Sequence, residues 1–175
     1  MDRRALAALA ASVGALGVVL LVSRRAKASE TAGGVALVGD SYAVGLGPQL
    51  EKLLPGLRYE GHVGSNTAQW ASGAYGATLA DFRPGTILVS LGVNDGQNPN
   101  VENYRALVQR YQSGGARVIW IEPPLGINVP AVRNAIKSLG VKTVPARLMP
   151  MAADGIHPAS YSGWAGEIAT VVDRE

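Results

Sequence analysis

Apolar residues fall into short unbroken runs, separated by longer stretches where apolar and polar positions recur at helical spacing. Five runs read as strands: Val35–Val38, Leu57–His62, Thr86–Leu91, Arg117–Ile121 and Lys142–Pro145. Ile87-Leu88-Val89 and Val118-Ile119-Trp120-Ile121 contain no polar position at all. A strand with one wet face alternates; a strand without polar positions is covered on both faces, as in a parallel sheet. Five stretches read as helices: Gly47–Leu54, Ala68–Asp81, Val101–Ser113, Val129–Leu139 and Ser160–Val172. Strands alternating with helices predict an α/β domain over residues 35–175, with right-handed crossovers. In open α/β sheets ligands bind beyond the carboxyl ends of the strands, so functional residues are sought there.

The N-terminus has a different pattern. Ala5–Val22 is an 18-residue run without a charge, bracketed by Arg3-Arg4 and Arg24-Arg25. At ~1.5 Å rise per residue, such a helix just reaches across a bilayer's hydrocarbon core. Residues 1–28 are therefore expected to form an N-terminal hydrophobic helix, an uncleaved anchor or a signal peptide, followed by a linker over 29–34. Ala26-Lys27-Ala28 fits the small-x-small cleavage pattern, whereas the adjacent arginines count against cleavage. A buried helix of the main domain is the third reading, and the bracketing charges oppose it. The expected location is membrane-anchored or exported, in the cell envelope or outside the cell. Two arginines before the run and three basic residues after it leave the orientation open.

Composition narrows the function. The net charge is +3, but residues 1–28 hold five basic residues against one acidic, which leaves 11 basic against 12 acidic in 29–175. No basic cluster follows Lys27, which argues against nucleic-acid binding. The chain has no cysteine, so a thiol nucleophile, a disulfide and a thiolate-bound zinc are excluded. With two histidines, His62 and His157, a multi-histidine metal site is not expected.

Three blocks carry candidate chemistry, each after a predicted strand. Gly39-Asp40-Ser41 sets a serine at a strand-to-helix turn, where its hydroxyl and the first helical N–H groups face one space. Alone, it reads first as a helix cap. Gly92-Val93-Asn94-Asp95 offers an uncharged side-chain N–H donor suited to an oxyanion, or simply a turn. Asp154-Gly155-Ile156-His157-Pro158 puts a carboxylate three residues before an imidazole. It can fold back onto one ring nitrogen and leave the other as a base. Pro158 is expected in the first turn of the last helix.

Together these blocks resemble the SGNH/GDSL hydrolase family, over Val35 to about Ala165. The resemblance implies a flavodoxin-like three-layer α/β/α sandwich around a central parallel sheet. It implies acyl-ester hydrolysis through an acyl-enzyme, with no cofactor and no metal. Ser41 would be the nucleophile, His157 the base and then acid, and Asp154 its orienting carboxylate. The Ser41 backbone N–H, the Asn94 side chain and an N–H from the family's glycine block would form the oxyanion hole. That block matches Gly61 to Thr67 loosely: Gly64 is favoured, and an alignment on Thr67 would choose Ser65. Tyr42 stands where the family often has leucine and is expected to pack on the first helix.

Other residues are expected to carry less. Asp95 braces its loop or lines the pocket, and Glu122 follows a strand. Trp70, Tyr75, Tyr161 and Trp164 either wall an acyl pocket or fill the core, Trp164 packing the last helix on the sheet. His62 lacks an Asp-x-x-His setting and is expected at the surface. A flavin or nucleotide site is disfavoured because the first loop has an acid and no phosphate-binding glycine pattern. A non-catalytic binding domain would be expected to have lost a triad member, and none is missing. With 147 residues from 29 to 175 and short connections, little chain remains for a lid. The expected substrates are short-acyl esters, such as acetyl groups on carbohydrate. Lipid esters and thioesters stay open.

Overall fold

The computed structural model describes residues 33–79 and 81–174. The expected anchor or signal over 1–28, and most of the linker, lie outside them. Among the described residues no helix is long and apolar enough to cross a membrane.

Strands β1 (Val35–Gly39), β2 (Arg58–Gly61), β3 (Thr86–Ser90), β4 (Arg117–Ile121) and β5 (Lys142–Val144) form one parallel sheet, in spatial order β2-β1-β3-β4-β5. The unbroken apolar runs have the cause the sequence suggested. Ala36, Val38, Ile87, Val89, Val118 and Trp120 face one core, while Leu37, Leu88, Ile119 and Ile121 face a second. Helices α2 (Thr67–Ala71), α3 (Val101–Ser113) and α4 (Pro130–Lys137) cover the first face. Helices α1 (Ser41–Leu53) and α5 (Ser162–Asp173) cover the second, through Leu46, Leu50, Trp164 and Ile168. This is the expected three-layer sandwich. Full burial of one such leucine or isoleucine stabilises by about 1.5–3 kcal/mol.

Three local expectations needed correction. The first helix starts at Ser41, six residues before the predicted Gly47. Gly45, Gly47 and Pro48 weaken its helical signal, but the glycines serve packing. A Cβ at Gly45 would lie 2.3 Å from the Tyr161 ring, and one at Gly47 would lie 2.4 Å from the Tyr59 ring. The helix predicted over Ala68–Asp81 ends at Ala71, and a 3₁₀ turn follows at Ala77–Leu79. Gly73 and Gly76 take positive φ there, and the Glu60 carboxylate accepts the N–H groups of Gly76 (2.7 Å) and Thr78 (3.0 Å). Pro158 lies outside α5 and pairs with Met151 in an antiparallel bridge.

The strand order reverses direction at β1, which has β2 on one side and β3 on the other. A crevice opens at the carboxyl ends of strands at such a switch point. β1 and β3 come close enough there to demand glycine: a Cβ on Gly39 would lie 2.1 Å from the Ser90 carbonyl oxygen.

Candidate active site

Ser41 is the first residue of α1. Asp40 caps the helix, its Oδ1 accepting the Tyr42 N–H at 3.0 Å, while its own N–H donates to the Ser90 carbonyl at 3.1 Å. β1, β3 and α1 thus all hold the turn that presents Ser41.

His157 arrives from 116 residues away, its Nε2 2.9 Å from Ser41 Oγ. Its Nδ1 lies 2.7 Å from Asp154 Oδ2. A carboxylate can only accept, so the neutral ring carries its proton on Nδ1, and Nε2 is left to accept from the serine hydroxyl. Asp154 Oδ1 also accepts the backbone N–H groups of Ile156 and His157, both at 2.9 Å. The hydrogen bond to the His157 ring, helped by these two, holds the Asp154 carboxyl down at about 2. It is therefore ionised at any pH where the imidazole can act as a base.

The loop bearing both residues is tied at its base. Ala152 N–H donates to the His157 carbonyl (2.7 Å) and Ala159 N–H to the Pro150 carbonyl (2.9 Å), flanking the Met151–Pro158 bridge. Tyr42 supplies another tie, beyond the helix packing expected of it. Its hydroxyl donates to the Ile156 carbonyl at 2.9 Å, and its ring meets His157 edge-on with centroids 5.9 Å apart. Burial pushes the Tyr42 phenol above its usual value, which keeps it a donor. Nothing local in the sequence marks this contact, because its partner lies 114 residues on.

Asn94 lies in a 3₁₀ turn after β3 (Val93–Asp95), and its Nδ2 donates to the Ser65 carbonyl at 2.9 Å. The side chain is thereby held against the β2–α2 loop with one amide hydrogen to spare. In that loop Ser65 N–H donates to the His62 carbonyl at 3.0 Å. Asp95 is a brace: its two carboxylate oxygens accept from Thr67, one from the N–H (3.0 Å) and one from the hydroxyl (2.6 Å). Glu122 is buried and accepts the Ala146 N–H, tying the ends of β4 and β5. Trp70 and Trp164 fill the two cores. His62 is half-buried, its Nε2 3.0 Å from Glu60 and its ring stacked on Tyr75 at 4.0 Å. The triad itself is open, with the His157 and Asp154 side chains 35% and 48% exposed. A cavity of about 180 Å³ beside Phe82, Ile87 and Tyr111 shares no residue with it.

No family model and no curated protein matches the chain. Solved structures do. The chain is similar to the C-terminal catalytic domain of peptidoglycan O-acetyltransferase A from Streptococcus pneumoniae, with a TM-score of 0.56 and 20% identity over 82% of this chain and 92% of that one. It is similar to a carbohydrate esterase family 3 protein from Talaromyces cellulolyticus, with a TM-score of 0.62 and 17% identity over 81% and 97%. It is similar to an acetyl esterase, with a TM-score of 0.62 and 18% identity over 81% and 97%. The chain has the SGNH/GDSL hydrolase fold. In the terms of that fold, Ser41, Asn94 and the Asp154–His157 pair stand at the carboxyl edge, and Gly64 stands in the loop after β2 with a positive φ of 76°.

Proposed function

We propose that the protein is a serine hydrolase that cleaves carboxylic esters through an acyl-enzyme. The observation that carries this reading is the unbroken Asp154–His157–Ser41 hydrogen-bond relay, at 2.7 and 2.9 Å. His157 Nε2 takes the hydroxyl proton as Ser41 Oγ bonds to the ester carbonyl carbon. Asp154 stabilises the imidazolium that forms. The carbonyl oxygen becomes an oxyanion, received by the Ser41 N–H, the spare Asn94 Nδ2 hydrogen and the Gly64 N–H. His157 then returns the proton to the departing alkoxide, leaving acyl-Ser41. Water, deprotonated by the same imidazole, attacks that ester, and the acid leaves as the proton returns to Oγ. Gly64 is chosen over Ser65 because the Ser65 N–H is engaged by the His62 carbonyl.

The substrates are short-acyl esters, acetyl esters of carbohydrate among them. The exposed triad and the short connections support this, as do the acetyl esterase and carbohydrate esterase among the similar structures. The apolar run Ala5–Val22 and its bracketing arginines support a chain held at a membrane or exported through it. A fluorophosphonate probe tests the nucleophile. The full chain takes the label and the Ser41→Ala variant does not; an unlabelled, folded wild-type protein refutes the reading.

A further inference from the structure

Beside the oxyanion donor lies a cavity of about 160 Å³, lined by Asn66, Thr67, Asn94, Asp95, Asn100 and Asn103. That is the space of about five water molecules, enough to seat one side of a single sugar ring. The chemistry of its wall is specific. Asn66 Oδ1 accepts the Gln69 N–H at 3.0 Å as the cap of α2. Asn100 Oδ1 accepts the Glu102 N–H at 3.1 Å as the cap of α3. Both caps occupy the oxygen and leave the side-chain NH₂ to donate elsewhere. Asn103, one turn into α3, makes no side-chain hydrogen bond among the described residues. Asp95 is held rigid by Thr67 and keeps lone pairs on both oxygens. The wall therefore offers several neutral donors, one anionic acceptor and no cation.

An acyl chain would strip water from those amides with nothing to replace it, and an anion would meet Asp95 with no compensating charge. A neutral polyhydroxyl group can instead donate to Asp95 and accept from the asparagines. From these contacts we infer that this cavity is the saccharide subsite, holding the alcohol part of an O-acetylated sugar while Asn94, shared by wall and oxyanion hole, faces its ester carbonyl. The inference rests on the ester-hydrolase reading above and adds to it the residues that select the alcohol.

The test compares 6-O-acetylglucose with 4-nitrophenyl acetate, which has the same acyl group and no sugar. Asn103→Ala lowers kcat/KM for the sugar ester about fivefold to tenfold more than for the aryl ester, the worth of one lost hydrogen bond. Asn103→Leu, which also blocks the cavity, lowers that ratio further. Gln112→Ala, exposed near the end of the same helix, leaves the ratio at the wild-type value. Equal shifts on both substrates, or no shift, overturn the subsite. So does a wild-type enzyme that cleaves the aryl ester and ignores the sugar ester, a result that leaves the hydrolase reading intact. A wild-type protein that takes no fluorophosphonate and cleaves neither ester removes both.

Discussion

Asp40 gives the chain a measurable dependence of stability on pH. Its side chain is 0% exposed; Oδ1 accepts the Tyr42 N–H, and Oδ2 has no hydrogen-bond partner among the described residues. Burial pushes the carboxyl up to about 7, with the Asp95 charge adding to the effect and the Tyr42 N–H opposing it. In the unfolded chain the same group titrates near 3.8. Between those values the folded protein binds a proton that the unfolded chain releases. The contribution is therefore fully present below about pH 4 and is lost as pH rises through about 7. A displacement of roughly 3 pH units at ~1.4 kcal/mol each amounts to about 4 kcal/mol. Asp154, held at about 2, and Glu60, burial of which is outweighed by the Gly76, His62 and Thr78 donors that lower it, act with the opposite sign below about pH 4.5. They leave the higher window to Asp40. Asp40→Asn keeps the oxygen that caps α1 and removes the titration. Urea denaturation at pH 4.5, 6 and 8 should show wild type losing stability across the series and the variant losing less, by about 3 kcal/mol, since the series starts above the unfolded value. Parallel curves for the two proteins would mean that Asp40 stays ionised in the folded state, and the desolvation argument would fail.

Three further substitutions probe the relay and its supports. Asn94→Ala should lower kcat about 10²–10³-fold with little change in KM. Loss of its bond to the Ser65 carbonyl should cost about 1 kcal/mol of stability by thermal melting. Asp154→Asn keeps an oxygen for the Ile156 and His157 N–H groups but turns an NH₂ towards Nδ1, which forces the wrong tautomer. A rate loss of up to ~10⁴-fold in a protein with a native circular dichroism spectrum is expected, and unfolding would recast Asp154 as structural. Tyr42→Phe keeps the ring against His157 and loses the bond to the Ile156 carbonyl. Ile156 is 49% exposed, so water can replace that donor, and the stability loss should stay near 1 kcal/mol. kcat should fall several-fold as the histidine loop loosens; an unchanged kcat would show that the Met151–Pro158 pairing positions the loop unaided.

Much of the architecture was legible because its cause is local. Strands buried on both faces must be apolar throughout, so Ile87-Leu88-Val89 and Val118-Ile119-Trp120-Ile121 announced a sheet covered on both sides. The Asp154–His157 spacing is equally local, since one turn of chain brings carboxylate and imidazole together. Serine, asparagine and histidine blocks after strands implied a shared edge, and β1, β3 and the loop beyond β5 bring Ser41, Asn94 and His157 there. Other features depended on partners distant in the chain. The β2-β1-β3-β4-β5 order is a matter of which edges pair, and periodicity within a strand carries no information about its neighbour. Gly45 and Gly47 lowered the local helix signal of α1 for the sake of the Tyr161 and Tyr59 rings. Glu60 captured the chain at Gly76 and Thr78, where helical spacing alone predicted a continuing helix. Tyr42, read as a packing residue, became a tie on the histidine loop only when the fold brought Ile156 to it. Residue type and spacing set the chemistry this chain can attempt, because they are written in adjacent residues. Contacts across more than a hundred residues aim that chemistry, because only folding decides which distant groups meet.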